Sequence, residues 1–209
     1  YKLENLAYHE AIPGHHMQIA IQLEVEGMPS FRKYGGYSVY SEGWALYSET
    51  LPKEIGLYKD PYSDFGRLSG ELWRACRLVV DTGIHHYRWT REEGIDYYMY
   101  NTANPEGDCV GMVERHIVWP GQAVSYKIGM LKMQELRAFA ESTLGDIFSI
   151  QAFHDIVLKN GAVPMDILRA EAMWWCVRRV RFGAARRGAC GAVVRCGAER
   201  CAPPEGCWG

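Results

Sequence analysis

The chain has 209 residues, 48% of them apolar and 23% charged, with a formal net charge of -2. This is ordinary globular usage, enough for one substantial domain or two small ones with a real core, and it excludes collagen-like and disordered chains. No run of about 18 apolar residues offers a membrane span, and the near-neutral charge argues against a general nucleic-acid binder. The opening Tyr1-Lys2-Leu3-Glu4 has no Met and no signal-peptide pattern. It starts within a helical pattern, as a piece of a longer protein would, so location and oligomeric state are left open.

Taken in chain order, apolar residues recur at Leu3, Leu6 and Ala7 and again at Met17, Ile19, Ala20, Ile21 and Leu23. That is a helical spacing interrupted at Pro13-Gly14. Ser38 or Ser41 caps a helix through Glu42 and Trp44 to about Leu51, where Pro52 is a stop signal. Asp60 to Asp64 makes a turn, after which Phe65 to about Val80 predicts a long helix with Leu68, Leu72, Ala75, Leu78 and Val79 inward. Thr90 to Glu93 matches a capping box. Further helices are predicted over residues 105–116, 121–140 and 146–158, with another starting at Pro164. No segment alternates as a strand does, so the fold class is all-α.

The C-terminal stretch differs in kind. From Arg169 to Gly209 there are eight Arg, no Lys and three acids, and five of the seven Cys fall here. Without apolar periodicity, this composition reads as a disordered tail from a shifted reading frame rather than as a domain, leaving residues 1–168 as the folded region. A disulfide framework and a loose zinc site are the alternatives for the Cys, although structural zinc ligands usually stand closer together.

The chemistry concentrates in His9-Glu10, His15-His16 and Glu42. Two imidazoles from one helix and a carboxylate from the next suit zinc, with a fourth position left for water, and the Glu beside the first His serves as general base. The spacing is not the usual H-E-x-x-H. On a straight helix His9 and His15 point about 240° apart, while His9 and His16 share a face but stand roughly 10.5 Å apart along the axis. Pro13 lacks the N–H that would bond the His9 carbonyl, and with Gly14 it predicts a bulge or kink that lets two imidazoles meet. His15 is the favoured second ligand and His16 its rival. The metal set is therefore His9, His15 and Glu42, the cofactor Zn²⁺ and the base Glu10.

Four segments carry a family resemblance: His9 to Gln18 (His-Glu-Ala-Ile-Pro-Gly-His-His-Met-Gln), Tyr40 to Tyr47, Glu71 to His85, and Pro120 to Ala123 with Tyr126 to Gly129. Together they resemble the bacterial domain-of-unknown-function family 885, over about residues 1–168. The resemblance implies a zincin-like, gluzincin-type helical catalytic half, truncated at its N-terminus. It implies a metallopeptidase acting on a peptide or small amide substrate, and most of the reason for naming Tyr126 as the oxyanion-stabilising group. Gln122 and Lys127 beside it join the substrate-binding candidates. His85 pairs with Asp81 to orient a ligand or bind a substrate carbonyl, or is an ordinary helix-surface pair. Arg74 and Arg77 bind a substrate carboxylate, or simply pair with Glu71 and Asp81. Glu49, seven residues after Glu42, either supports the ligands or packs in the core. Two competing readings are a non-catalytic zincin-fold binding protein and an inert piece of chain.

Overall fold

In the computed structural model, which describes residues 1–188 with side chains to residue 181, the first two helices are short. Helix α1 (Leu3–Glu10) and helix α2 (His15–Glu24) are separated by residues 11–14, with a cis peptide at Ile12–Pro13. The expected bulge is thus a complete break. The turn folds so closely over the end of α1 that a Cβ on Gly14 would lie 1.8 Å from the His9 carbonyl oxygen and 2.4 Å from that of Tyr8. Only glycine fits there.

A single turn, α3 (Ser30–Lys33), leads to α4 (Ser38–Ser48) and the short α5 (Leu51–Glu54). Pro52 lies in the first turn of α5, where its missing N–H costs nothing, so it belongs to a helix start rather than a stop. Helix α6 (Pro61–His85) begins earlier than the sequence suggests: the Asp60 side chain caps it by accepting from the Tyr62 N–H, and Pro61 opens it. Helix α7 (Arg91–Asn101) starts at the complete Thr90–Glu93 capping box. Helices α8 (Glu106–Val118), α9 (Val124–Leu144), α10 (Ile150–Leu158) and α11 (Met165–Gly188) follow, with one 3-10 turn at Gly145–Ile147. The described residues contain no strand. Among them no helix is long and apolar enough to cross a membrane.

Two apolar cores result. The larger joins α4, α9, α10 and α11 around Tyr40, Trp44, Met130, Met133, Phe153 and Leu168; the smaller joins α6, α7 and α8 around Val80, Tyr98, Cys109 and Val113. Helices α4 and α9 cross at two facing glycines, where a Cβ on Gly43 would stand 2.5 Å from the Gly129 Cα. This close approach sets the residue beside Gly43, Glu42, against the start of α9.

Two expectations are corrected. Leu68, Leu72 and Val79 of α6 are exposed, and the helix instead turns Gly66, Gly70, Cys76, Arg77, Val80, Asp81 and Gly83 inward. Small residues face in because neighbours approach closely: a Cβ on Gly66 would meet the Tyr1 backbone, and one on Gly83 would meet the Trp89 ring. Secondly, the helix begun at Met165 does not stop at residue 168. It continues to Gly188, and Ala172 and Cys176 are buried in the larger core. Residues 189–209, with the remaining four tail cysteines, lie outside the described residues.

Candidate metal centre

The inner face of α1 is polar: its buried residues are Asn5 and His9, one turn apart. His9 is 3% exposed, and its Nδ1 lies 2.7 Å from Oε1 of Glu49, the buried residue that ends α4. Glu49 also accepts from the Asn5 amide on Oε2, lies 3.5 Å from Arg74 Nη2, and accepts from the Tyr58 hydroxyl on its backbone carbonyl. With Nδ1–H given to this carboxylate, the His9 tautomer presents a lone pair on Nε2.

That nitrogen faces His15 and Glu42. The break after Glu10 swings α2 back, so that the His9 and His15 rings meet edge to face with centroids 4.9 Å apart. Trp44 of α4 holds the turn in place by donating its indole N–H to the Pro13 carbonyl at 2.8 Å. Glu42 Oε2 then lies 3.2 Å from His15 Nε2 and 3.7 Å from His9 Nε2. One donor atom from each of the three residues falls within 4.8 Å of the others. Donors bound tetrahedrally to one zinc ion at about 2.1 Å stand roughly 3.4 Å apart, so the spacing fits such an ion. His16 is exposed and is not among the three converging donors.

The electrostatics suit a cation. Burial alone would depress the His9 pKa, but the neighbouring carboxylates of Glu42 and Glu49 outweigh it and the net shift is upward. Burial opposes ionisation of Glu42 too, yet the two histidines and Tyr126 bring its pKa down to about 2. The second Glu42 oxygen accepts from Gln122 Nε2 at 3.2 Å, and the same amide lies 3.2 Å from the Tyr126 hydroxyl. The Tyr126 ring stacks on His9 with centroids 6.2 Å apart and carries the Arg77 guanidinium 4.5 Å from its centre on α6. Glu10 is exposed at the end of α1 and makes no hydrogen bond or ion pair with the described residues.

The other expected substrate groups are placed as follows. Gln122 lies at the triad but as a partner of Glu42, Tyr126 and Arg115. His85 donates Nε2–H to the His116 carbonyl at 2.8 Å and stands 3.4 Å from Asp81, while Lys127 pairs with Glu71. These two therefore tie α6 to α8 and α9. Arg74 pairs with neither Glu71 nor Asp81; it reaches the Gly70 carbonyl and Glu49. Asn5 escaped the sequence reading, although its i−4 spacing from His9 was a signal that both share one helix face.

An all-helical domain that converges two histidines and a glutamate from three helices defines the class. The chain belongs to the bacterial family described as "Bacterial protein of unknown function (DUF885)", which it matches over residues 1–172. It is similar to the crystal structure of a "putative lipoprotein" from Colwellia psychrerythraea, with 51% identity, a TM-score of 0.83, and coverage of 85% of this chain and 30% of that one. A "putative lipoprotein of unknown function" from Shewanella oneidensis is similar at 27% identity and TM-score 0.74, covering 80% of this chain and 31% of that one. The chain thus spans less than a third of the length of these solved relatives. No curated protein matches it.

Proposed function

We propose that His9, His15 and Glu42 hold a zinc ion and that this region is the metal-binding part of a zincin-like hydrolase, a peptidase acting on peptide or small amide bonds. The observation that carries this reading is the convergence of three donors at zinc-scale spacing, with the inner nitrogen of His9 already engaged by buried Glu49. Supporting carboxylates of this kind orient a ligating imidazole and raise its basicity.

When bound, zinc would supply Lewis acidity toward water and a substrate carbonyl near neutral pH. The remaining work belongs to the chain. Glu10, exposed beside His9, accepts the attacking water's proton on a carboxylate oxygen and returns it to the leaving nitrogen. The Tyr126 hydroxyl, held by Gln122, donates to the oxygen on which charge develops. Gln122 keeps Glu42 turned toward the histidines.

Metal analysis of the purified chain should find about one zinc per molecule, lost in His9→Ala. Glu10→Gln should keep the zinc while turnover of a peptide substrate falls by roughly 100-fold or more. A chain whose zinc content is indifferent to His9→Ala overturns the metal site. Full activity in Glu10→Gln overturns the assignment of the base.

A further inference from the structure

Glu49 is shared between the triad and a second feature. Asn5 and Arg74, which both touch it, also line a cavity of about 470 Å³ between α1, α6 and α8, with Lys2, Trp73, Arg77 and Asn104 in the same wall. Three side-chain donors of that wall are buried without a partner: Nε of Arg74, Nε of Arg77 and Nδ2 of Asn104. Arg77 is 6% exposed and Asn104 is 8% exposed. Arg77 has no ion pair among the described residues, its guanidinium resting on Tyr126. Asn104 uses its carbonyl oxygen to accept from Lys2 Nζ at 2.6 Å, which leaves the amide hydrogens to spare.

Native proteins seldom leave one buried donor unmet, and here three belong to residues that line one cavity. Three cations line it against a single acid, Asp108, which is exposed. Glu49, the buried carboxylate 3.5 Å from Arg74 Nη2, is also engaged by His9 and Asn5. The surroundings call for an anion with two or more acceptor oxygens, the match for which planar guanidinium groups are suited. Trp73 and Met112 add apolar wall beside these donors. The volume is that of a small-ligand pocket, enough for the terminal part of a peptide.

We propose that this cavity is a carboxylate-recognition subsite that receives the free C-terminal carboxylate of a short peptide. The proposal rests on the peptidase reading and narrows it to substrates with an unblocked C-terminus. Tyr126 links the two places: its ring stacks on His9 and lies against the guanidinium of Arg77, which is part of the cavity wall.

Calorimetry of the full chain, as purified and again after chelation, tests this with acetyl-glycyl-phenylalanine, its C-terminal amide and inorganic phosphate. The acid should bind at least ten-fold more tightly than the amide and than phosphate, with or without metal. Arg77→Met should lower affinity for the acid ten-fold or more. Arg74→Gln, at a less buried position, should do the same, with a thermal melt verifying the fold of each. Equal affinity for acid and amide, binding of neither, or phosphate binding as tightly as the acid would each overturn the subsite. Because the chelated protein is measured separately, loss of the metal reading and loss of the subsite give different results.

Discussion

His9 and His116 are buried to nearly the same degree, 3% and 1% exposed, yet their surroundings drive them in opposite directions. His9 lies between Glu42 and Glu49, whose carboxylates overcome the cost of burial and raise its pKa. His116 has only the Tyr98 hydroxyl on its ring at 2.7 Å; burial first, then the charges of Arg77, Arg115 and His85, bring its pKa down to about 4. Depth alone therefore says little about a histidine. The charges placed beside it decide whether its site draws a cation or refuses one, and this molecule keeps a region of each kind on the two flanks of Arg77 and Tyr126.

The largest effect expected from disturbing this contrast comes from Gly14→Ala. The new methyl would lie 1.8 Å from the backbone oxygen of His9, so the turn must open and carry His15 away from His9. Unfolding by denaturant should show a loss of about 3 kcal/mol or more, and zinc should no longer be retained. Gly36→Ala, with nothing within 4 Å of its Cβ, should change stability by no more than about 0.5 kcal/mol.

A smaller effect follows from removing one of the two carboxylates that distinguish His9 from His116. Glu49→Gln keeps the shape but weakens the hold on Nδ1–H, so chelator competition should show zinc affinity roughly 10–100-fold lower. An unchanged affinity would mean that Glu49 serves the core alone.

The smallest concerns the other flank. His116 and His154, both brought to about 4 chiefly by burial, bind their protons later on acidification than the unfolded chain does. Their contribution to stability is therefore complete above about pH 6.5 and is lost as pH falls toward 4. The Glu42 contribution runs lower, present above about 4.5 and lost only toward pH 2. Urea midpoints measured from pH 7 to 4 should decline, and His116→Gln should decline less steeply. Equal slopes would show that His116 is not held neutral.

The sequence was informative where local chemistry decides. The capping box at Thr90, the break at Pro13-Gly14 and the helical spacings each act over a few residues, and helices formed where they indicated. Faces were less legible. Counting large apolar residues placed Leu68 and Leu72 inside α6, while the glycines Gly66, Gly70 and Gly83 are what the neighbouring chain requires there. Likewise Arg74 and Arg77 had acids at pairing distance in sequence, and neither of these two uses Glu71 or Asp81, Glu71 being taken by Arg67 and Lys127.

The sequence by itself determined an all-helical chain, the donor types and a proline-glycine interruption between the two candidate imidazoles. Only the tertiary structure decided that His15 rather than His16 meets His9, that Glu49 takes its inner nitrogen, and that buried donors are left unmet behind it. The reason is physical: backbone propensities are set by near neighbours, whereas the fate of a buried polar group depends on which distant helix reaches it, and here the facing Gly43 and Gly129 let α4 and α9 approach closely enough to choose.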